Sequence, residues 1–173
     1  MRACLTAALA AAVLSLAHAA VGLADLNSDD PDSVADYLAV LLFSAALTGA
    51  AVALALLRRL GADRLRRTWS LGLALAVGGG AAAGAGNLWA DAFGVSAFDL
   101  LFALGGLALL IGLPTAGGSV LAAAPPWRWA GLALTLIAIG IAVGEQAGFT
   151  LVGLAWMALA LVLGRSATPL RPA

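Results

Sequence analysis

The amino-acid sequence predicts an all-α fold, a polytopic transmembrane helical bundle of six helices arranged as three hairpins. Three observations lead there. Apolar residues make up 63% of the 173-residue chain and charged residues only 10%, with a mean hydropathy of +1.04, more apolar side chain than a water-soluble globule of this size can hide. The apolar residues fall in six long runs, most of them near the roughly 20 residues that cross about 30 Å of hydrocarbon. The connections between the runs alternate acidic, basic, acidic, basic, acidic, as a chain passing back and forth through a bilayer requires.

The runs cover 3–24, 37–57, 69–88, 97–113, 129–144 and 148–164, and residues 1–173 form a single transmembrane domain. The fourth and fifth are short. The fourth lengthens if it starts near Val95 or if it continues past Pro114 through Ser119 to Ala124, with the proline a kink tolerated inside a bundle. The first run has a competing reading as a cleaved signal peptide, which leaves five helices, because Arg2 is a minimal basic region and Ala17-His18-Ala19 has the small-x-small pattern. Its apolar stretch runs on through Val21-Gly22-Leu23-Ala24, beyond the about 7–15 residues usual for a signal core, and this favours an uncleaved helix.

Charge fixes the orientation. Formal net charge is zero, so no global basic field points to nucleic acid, but the charges are segregated by position. Arg58, Arg59, Arg64, Arg66 and Arg67 lie in one connection, and the excess of basic residues on cytoplasmic loops puts that connection inside. Arg2, Arg128, Arg165 and Arg171 then also fall inside, with both termini cytoplasmic. Of the acids only Asp63 joins them. The absence of lysine and the wealth of alanine and glycine suggest a GC-rich bacterium, and hence its inner (cytoplasmic) membrane.

The aromatics fit the same layout. Trp69, Trp127 and Trp129 sit at inner interfaces and Tyr37, Trp89, Phe93, Phe98 and Phe149 at outer ones, while Trp156 falls mid-helix, to pack against a neighbour or to line a pocket. Three outward runs each end in a glycine and then an acid, at Gly22/Asp25, Gly86/Asp91 and Gly144/Glu145, which suggests a threefold repeat of the hairpin. Within lipid, helices associate by close approach at small residues. Gly80/Gly84 in the third run and Gly140/Gly144/Gly148 in the fifth supply such ridges, and the richer Leu and Val content of the even-numbered runs predicts helices one, three and five at the centre.

Ionisable groups inside a membrane are costly and mark function by default. His18 lies about two turns inside the outer end of the first run, where it can pack by hydrogen bonding, relay a proton or ligate a metal. With Asn87, Asp91 and Glu145 it forms a candidate polar pocket facing outside; ordinary solvation at the interface is the alternative.

The first outer connection runs from Asp25 to Asp36. Counted from Asp25, oxygen-bearing side chains stand at positions 1, 3, 5, 9 and 12, the spacing with which an EF-hand loop wraps calcium. The segment resembles the dockerin type of calcium loop. The resemblance covers these residues alone and implies Asp25, Asn27, Asp29, Ser33 and Asp36 as ligands with the Pro31 carbonyl. Asp30 replaces the loop glycine and Asp32 the apolar residue. The competing reading makes Ser33 the cap of the second helix, with Asp36 as its capping-box partner.

No Walker A, GxSxG, HExxH or CxxC pattern occurs, and the single cysteine, Cys4, forms no internal disulfide. The sequence therefore predicts a non-enzymatic membrane protein with no cofactor beyond that calcium, an accessory or envelope component working through helix contacts. Its partners are the lipid bilayer and other membrane subunits or itself, and not nucleic acid. The alternative is a small transporter or channel built around the outward polar pocket.

Overall fold

A computed structural model describes residues 1–24, 33–61, 67–123 and 127–166. Six helices form: α1 (Arg2–Ala24), α2 (Val34–Gly61), α3 (Arg67–Asn87), α4 (Asp99–Val120), α5 (Trp127–Val143) and α6 (Glu145–Ser166). The six-helix, all-α expectation holds, and among the described residues no strand interrupts it. Five helices are long and apolar enough to cross a membrane; α5, with 17 residues, rises about 26 Å and matches a slightly thinned bilayer. The fourth helix does continue through Pro114, to Val120. Hydroxyls C-terminal to the proline bond back to carbonyls of their own helix, Thr115 Oγ1 to Ile111 at 2.7 Å and Ser119 Oγ to Ala116 at 2.7 Å, so they enter the apolar surroundings with partners.

The helices form a closed ring. Each packs on its neighbours in sequence, and α1 packs on α6 to close the circle. This corrects the expected division into central odd and peripheral even helices, because buried residues come from all six and the most extensive contact of all joins α3 to α4. The reason is in the glycines. Gly72, Gly79 and Gly86 on α3 recur every seven residues and meet Gly105, Gly112 and the backbone of Phe102 on α4. A Cβ on Gly79 would stand 2.6 Å from the Gly105 carbonyl oxygen, and one on Gly112 would stand 2.6 Å from that of Gly72. A seven-residue period keeps one seam facing its partner along the whole helix, so the two backbones touch over four turns. The predicted Gly80/Gly84 ridge exists as well, but it faces α2, where Gly84 sits against Thr48 and the Ser44 carbonyl.

Gly140 and Gly148 meet across the α5–α6 hairpin, as small residues at an interface should. Gly144 does not belong to that ridge. It is the single residue joining the two helices, held at φ +64 with open space where a side chain would start, and only glycine adopts that conformation without cost. The α3–α4 turn is built otherwise: α3 widens into a π-helix over Leu88–Ala92, Gly94 turns the chain at φ +66, and a short 3-10 segment, Ser96–Phe98, leads into α4. The two turns thus share a glycine and an acid in sequence but not a construction.

The ring has a basic end and an acidic end. Arg58 Nε donates to Ser70 Oγ at 3.0 Å, and Trp69 meets Trp127 edge to face at 5.8 Å, which bring the C-terminus of α2 and the N-termini of α3 and α5 together. Leu5 reaches Gly164, so the start of α1 and the end of α6 join them. Every described arginine lies at this end, and the described acids, Asp36, Asp91, Asp99 and Glu145, belong to the opposite one. Trp69, expected at an inner interface, lies at this basic end and is fully buried there against Trp127, with its indole N–H unpaired. Trp156 is buried too, packed within the ring and on the wall of a small central cavity.

The glycine pairs carry their own controls, because Gly78 and Gly106 stand beside Gly79 and Gly105 with nothing within 4 Å of a new Cβ. Gly79→Ala should lower the thermal stability of the detergent-purified protein by about 1–3 kcal/mol through overpacking. Gly78→Ala should leave it unchanged or raise it slightly, since alanine is the better helix former.

Candidate functional site: a polar vestibule at the acidic end

At the acidic end the ring encloses an open pocket of about 280 Å³ lined by His18, Ala39, Val40, Phe43, Asn87, Asp91 and Phe149. Three of the four polar residues proposed for an outward pocket, His18, Asn87 and Asp91, therefore line one space. The fourth, Glu145, opens α6 at the same end, and its side chain lies outside the described residues.

Each lining group is set by its helix. His18 Nδ1 lies 3.1 Å from the Ala39 carbonyl oxygen of α2. A carbonyl only accepts, so Nδ1 carries the proton in this contact, and in the neutral ring Nε2 is then an acceptor. His18 is wedged between two phenylalanines, edge to face with Phe149 at 4.6 Å and tilted on Phe43 at 5.1 Å, while Phe43 and Phe149 stand nearly perpendicular to each other at 5.1 Å. Phe149 was expected in an outer aromatic belt; instead it turns into the ring, where His18 offers it an edge. Asn87 is buried and donates from Nδ2 to Ser44 Oγ at 3.0 Å, which leaves the amide oxygen as its remaining acceptor. The π-helix begins at the next residue, and its wider turn carries the exposed Asp91 round to the pocket rim. Insertions of this kind gather at functional sites. Gln146 Nε2 donates to the Gly22 carbonyl at 3.1 Å, tying α6 to α1 beside the pocket.

Sequence reading missed Phe43, Phe149 and Ser44 as parts of this site. One signal was present. Ser44 and Asn87 are polar residues embedded in apolar runs, and buried polar groups demand partners. The phenylalanines carry no comparable mark, since an aromatic near the end of a membrane helix ordinarily reads as an interface residue.

Phe43 and Phe149 face two ways. They also line a second cavity, at the centre of the ring, enclosed by residues of α1, α2, α4, α5 and α6 that include Ser15, Leu54, Leu113, Ile137 and Trp156. This space measures about 20 Å³ and is almost wholly apolar, its one hydroxyl, on Ser15, being bonded to the Ala11 carbonyl at 2.8 Å. Cavities of that character stay dry. The vestibule is thus floored by aromatic rings, and a dry core lies behind them.

Of the calcium-loop set, Asp25, Asn27 and Asp29 lie outside the described residues. Ser33 and Asp36 form the capping box: Asp36 N–H donates to Ser33 Oγ at 3.2 Å, and Ser33 N–H donates to Asp36 Oδ2 at 3.0 Å. Among the described residues no three of His, Cys, Asp and Glu converge as metal ligands, His18 included. Compared with protein-family models, curated proteins and solved structures, the chain matches none.

The vestibule and the core predict opposite reactivity. In Cys4→Ala protein, a cysteine replacing Val40 at the vestibule wall should react with a water-soluble thiol reagent. One replacing the fully buried Leu113 should not, until the protein is unfolded.

Proposed function

We propose that the protein is a small non-enzymatic component of a bacterial cytoplasmic membrane, an accessory or envelope protein that works through helix contacts with other membrane proteins or with copies of itself. The observation that carries this reading is the closed centre of the ring: among the described residues, the space behind Phe43 and Phe149 shrinks to about 20 Å³ of mostly apolar cavity. Contact with other helices is favoured by the outer face between α2 and α3. There Ala45, Thr48, Ala81 and Ala85 form the small-residue part of a groove of about 490 Å³ that Leu41, Leu88 and Trp89 also line, and small residues let another helix approach closely. The gathering of all described arginines at one end supports a cytoplasmic placement of that end, and with it of both termini.

A second reading, a small transporter or channel, is favoured by the vestibule itself, since His18, Asn87 and Asp91 line one open pocket. Transport then requires Phe43 and Phe149 to part.

Reconstitution into sealed liposomes separates the two. The accessory reading predicts that potassium, proton and small-amine fluxes stay at the level of protein-free vesicles, and flux that rises with protein content contradicts it. Orientation is checked in intact cells, where a membrane-impermeant thiol reagent should label a cysteine replacing Ser96 at the acidic end. One replacing Thr68 at the basic end should be labelled only after permeabilisation.

A further inference from the structure

The lining of the vestibule specifies a ligand. Its polar groups each offer an acceptor: Nε2 of His18, whose Nδ1–H is committed to Ala39; the amide oxygen of Asn87, one of whose two Nδ2–H donors goes to Ser44; and the Asp91 carboxylate. Its apolar groups are ring faces and edges, with Phe43 and Phe149 nearly perpendicular so that they form a corner. No basic side chain among the described residues shares this end. Asp99 at the start of α4 acts electrostatically on Asp91, and Asp36 stands near the start of α2 at the same end, so the charges of the described residues here are negative. Acceptors, π faces and negative field together favour a cation that donates hydrogen bonds and carries some apolar surface.

Size narrows the class further. A pocket of about 280 Å³ holds about nine water volumes, too little for a drug-sized molecule and enough for an ion with a handful of heavy atoms. A bare metal ion fits less well, because the ligand-type side chains do not gather in threes among the described residues and much of the wall is aromatic.

We propose that the vestibule binds a small organic ammonium ion with N–H donors, its charge held by Asp91 with His18 and Asn87 as hydrogen-bond acceptors, and its alkyl part against the Phe43–Phe149 corner. This assignment rests on the second reading above only in requiring an open vestibule; it holds whether the ion is carried across or merely bound. Binding at one rim also suits a protein that stays closed.

The test titrates the full-length protein in nanodiscs with ethylammonium chloride, following thermal stability at constant ionic strength. Saturable stabilisation by ethylammonium is expected, at concentrations at least tenfold below any effect of potassium or of tetramethylammonium, which lacks N–H donors. Asp91→Asn should raise the half-saturating concentration at least tenfold. Asp91 is exposed, so this variant should fold as the parent does. Phe149→Leu should weaken binding severalfold, and its unliganded melting point reports separately on packing. Equal stabilisation by potassium or tetramethylammonium overturns the assignment, as does ethylammonium binding that Asp91→Asn leaves unchanged. If ethylammonium fails to bind while the Val40 cysteine still reacts, the ligand assignment falls and the open vestibule stands; if that cysteine is unreactive, both fall.

Discussion

The structure depends on how closely its helix backbones approach. In lipid there is no hydrophobic gain from bringing apolar helices together, since the solvent is as apolar as the side chains, and association must come from dense packing at short range. Gly72, Gly79 and Gly86 on α3, set against Gly105 and Gly112 on α4, let two backbones touch along most of their length, and a single Cβ on Gly79, Gly105 or Gly112 would collide with the opposing chain. Gly117 with Gly131, Gly140 with Gly148, and Gly153 against Leu16 and the Ala12 carbonyl repeat the device at α4–α5, α5–α6 and α6–α1. Small residues at each seam allow six helices to close into a ring whose centre retains only about 20 Å³ of empty space.

That closure sets the chemistry. With the core filled by Leu54, Leu113, Trp156 and their neighbours, water-exposed polar groups are confined to the two ends. The described arginines collect at one, where solvent and headgroups accommodate them, and the described acids at the other. His18 sits in the aromatic floor of the acidic end, its Nδ1–H answered by Ala39, while Asn87 is answered by Ser44, so these two polar side chains bring partners with them, as the buried indole N–H of Trp69 does not. The vestibule follows from three local departures from regular helix packing: the π-helix that carries Asp91, the buried Asn87–Ser44 pair, and the inward turn of Phe149.

Much of this was legible in the sequence. Length and hydropathy located six helices, and even the passage of α4 through Pro114 could be anticipated from the shortness of the run before it. The alternation of Arg and Asp between runs gave the two ends, and the Ser33–Asp36 spacing gave the capping box. The arrangement of helices around the ring was not legible. Apolar content does not distinguish a lipid-facing leucine from a core leucine when both sides of the helix are apolar, so Leu107, exposed, and Leu109, buried, look alike on one helix. The period of the glycines was the better signal. Adjacent glycines at 78, 79 and 80 invite a GxxxG reading, whereas the recurrence of glycine every seven residues at Gly72, Gly79 and Gly86 marks the face that meets α4. Of the vestibule, sequence indicated the polar members that stand out against an apolar background, and it missed the phenylalanines, which do not.

The closed ring is tested most directly at the contact that sequence order does not impose, between α1 and α6. A Cβ on Gly153 would lie 2.6 Å from Leu16 Cγ, so cysteines replacing Leu16 and Gly153 stand at disulfide distance once the leucine side chain is gone. Mild oxidation of that double variant in native membranes, in a Cys4→Ala background, should form an intramolecular disulfide. A pair replacing Leu16 and the exposed Ile111 of α4 should not. Absence of the α1–α6 bridge, or an equally efficient bridge to α4, would contradict the ring and with it the placement of the vestibule.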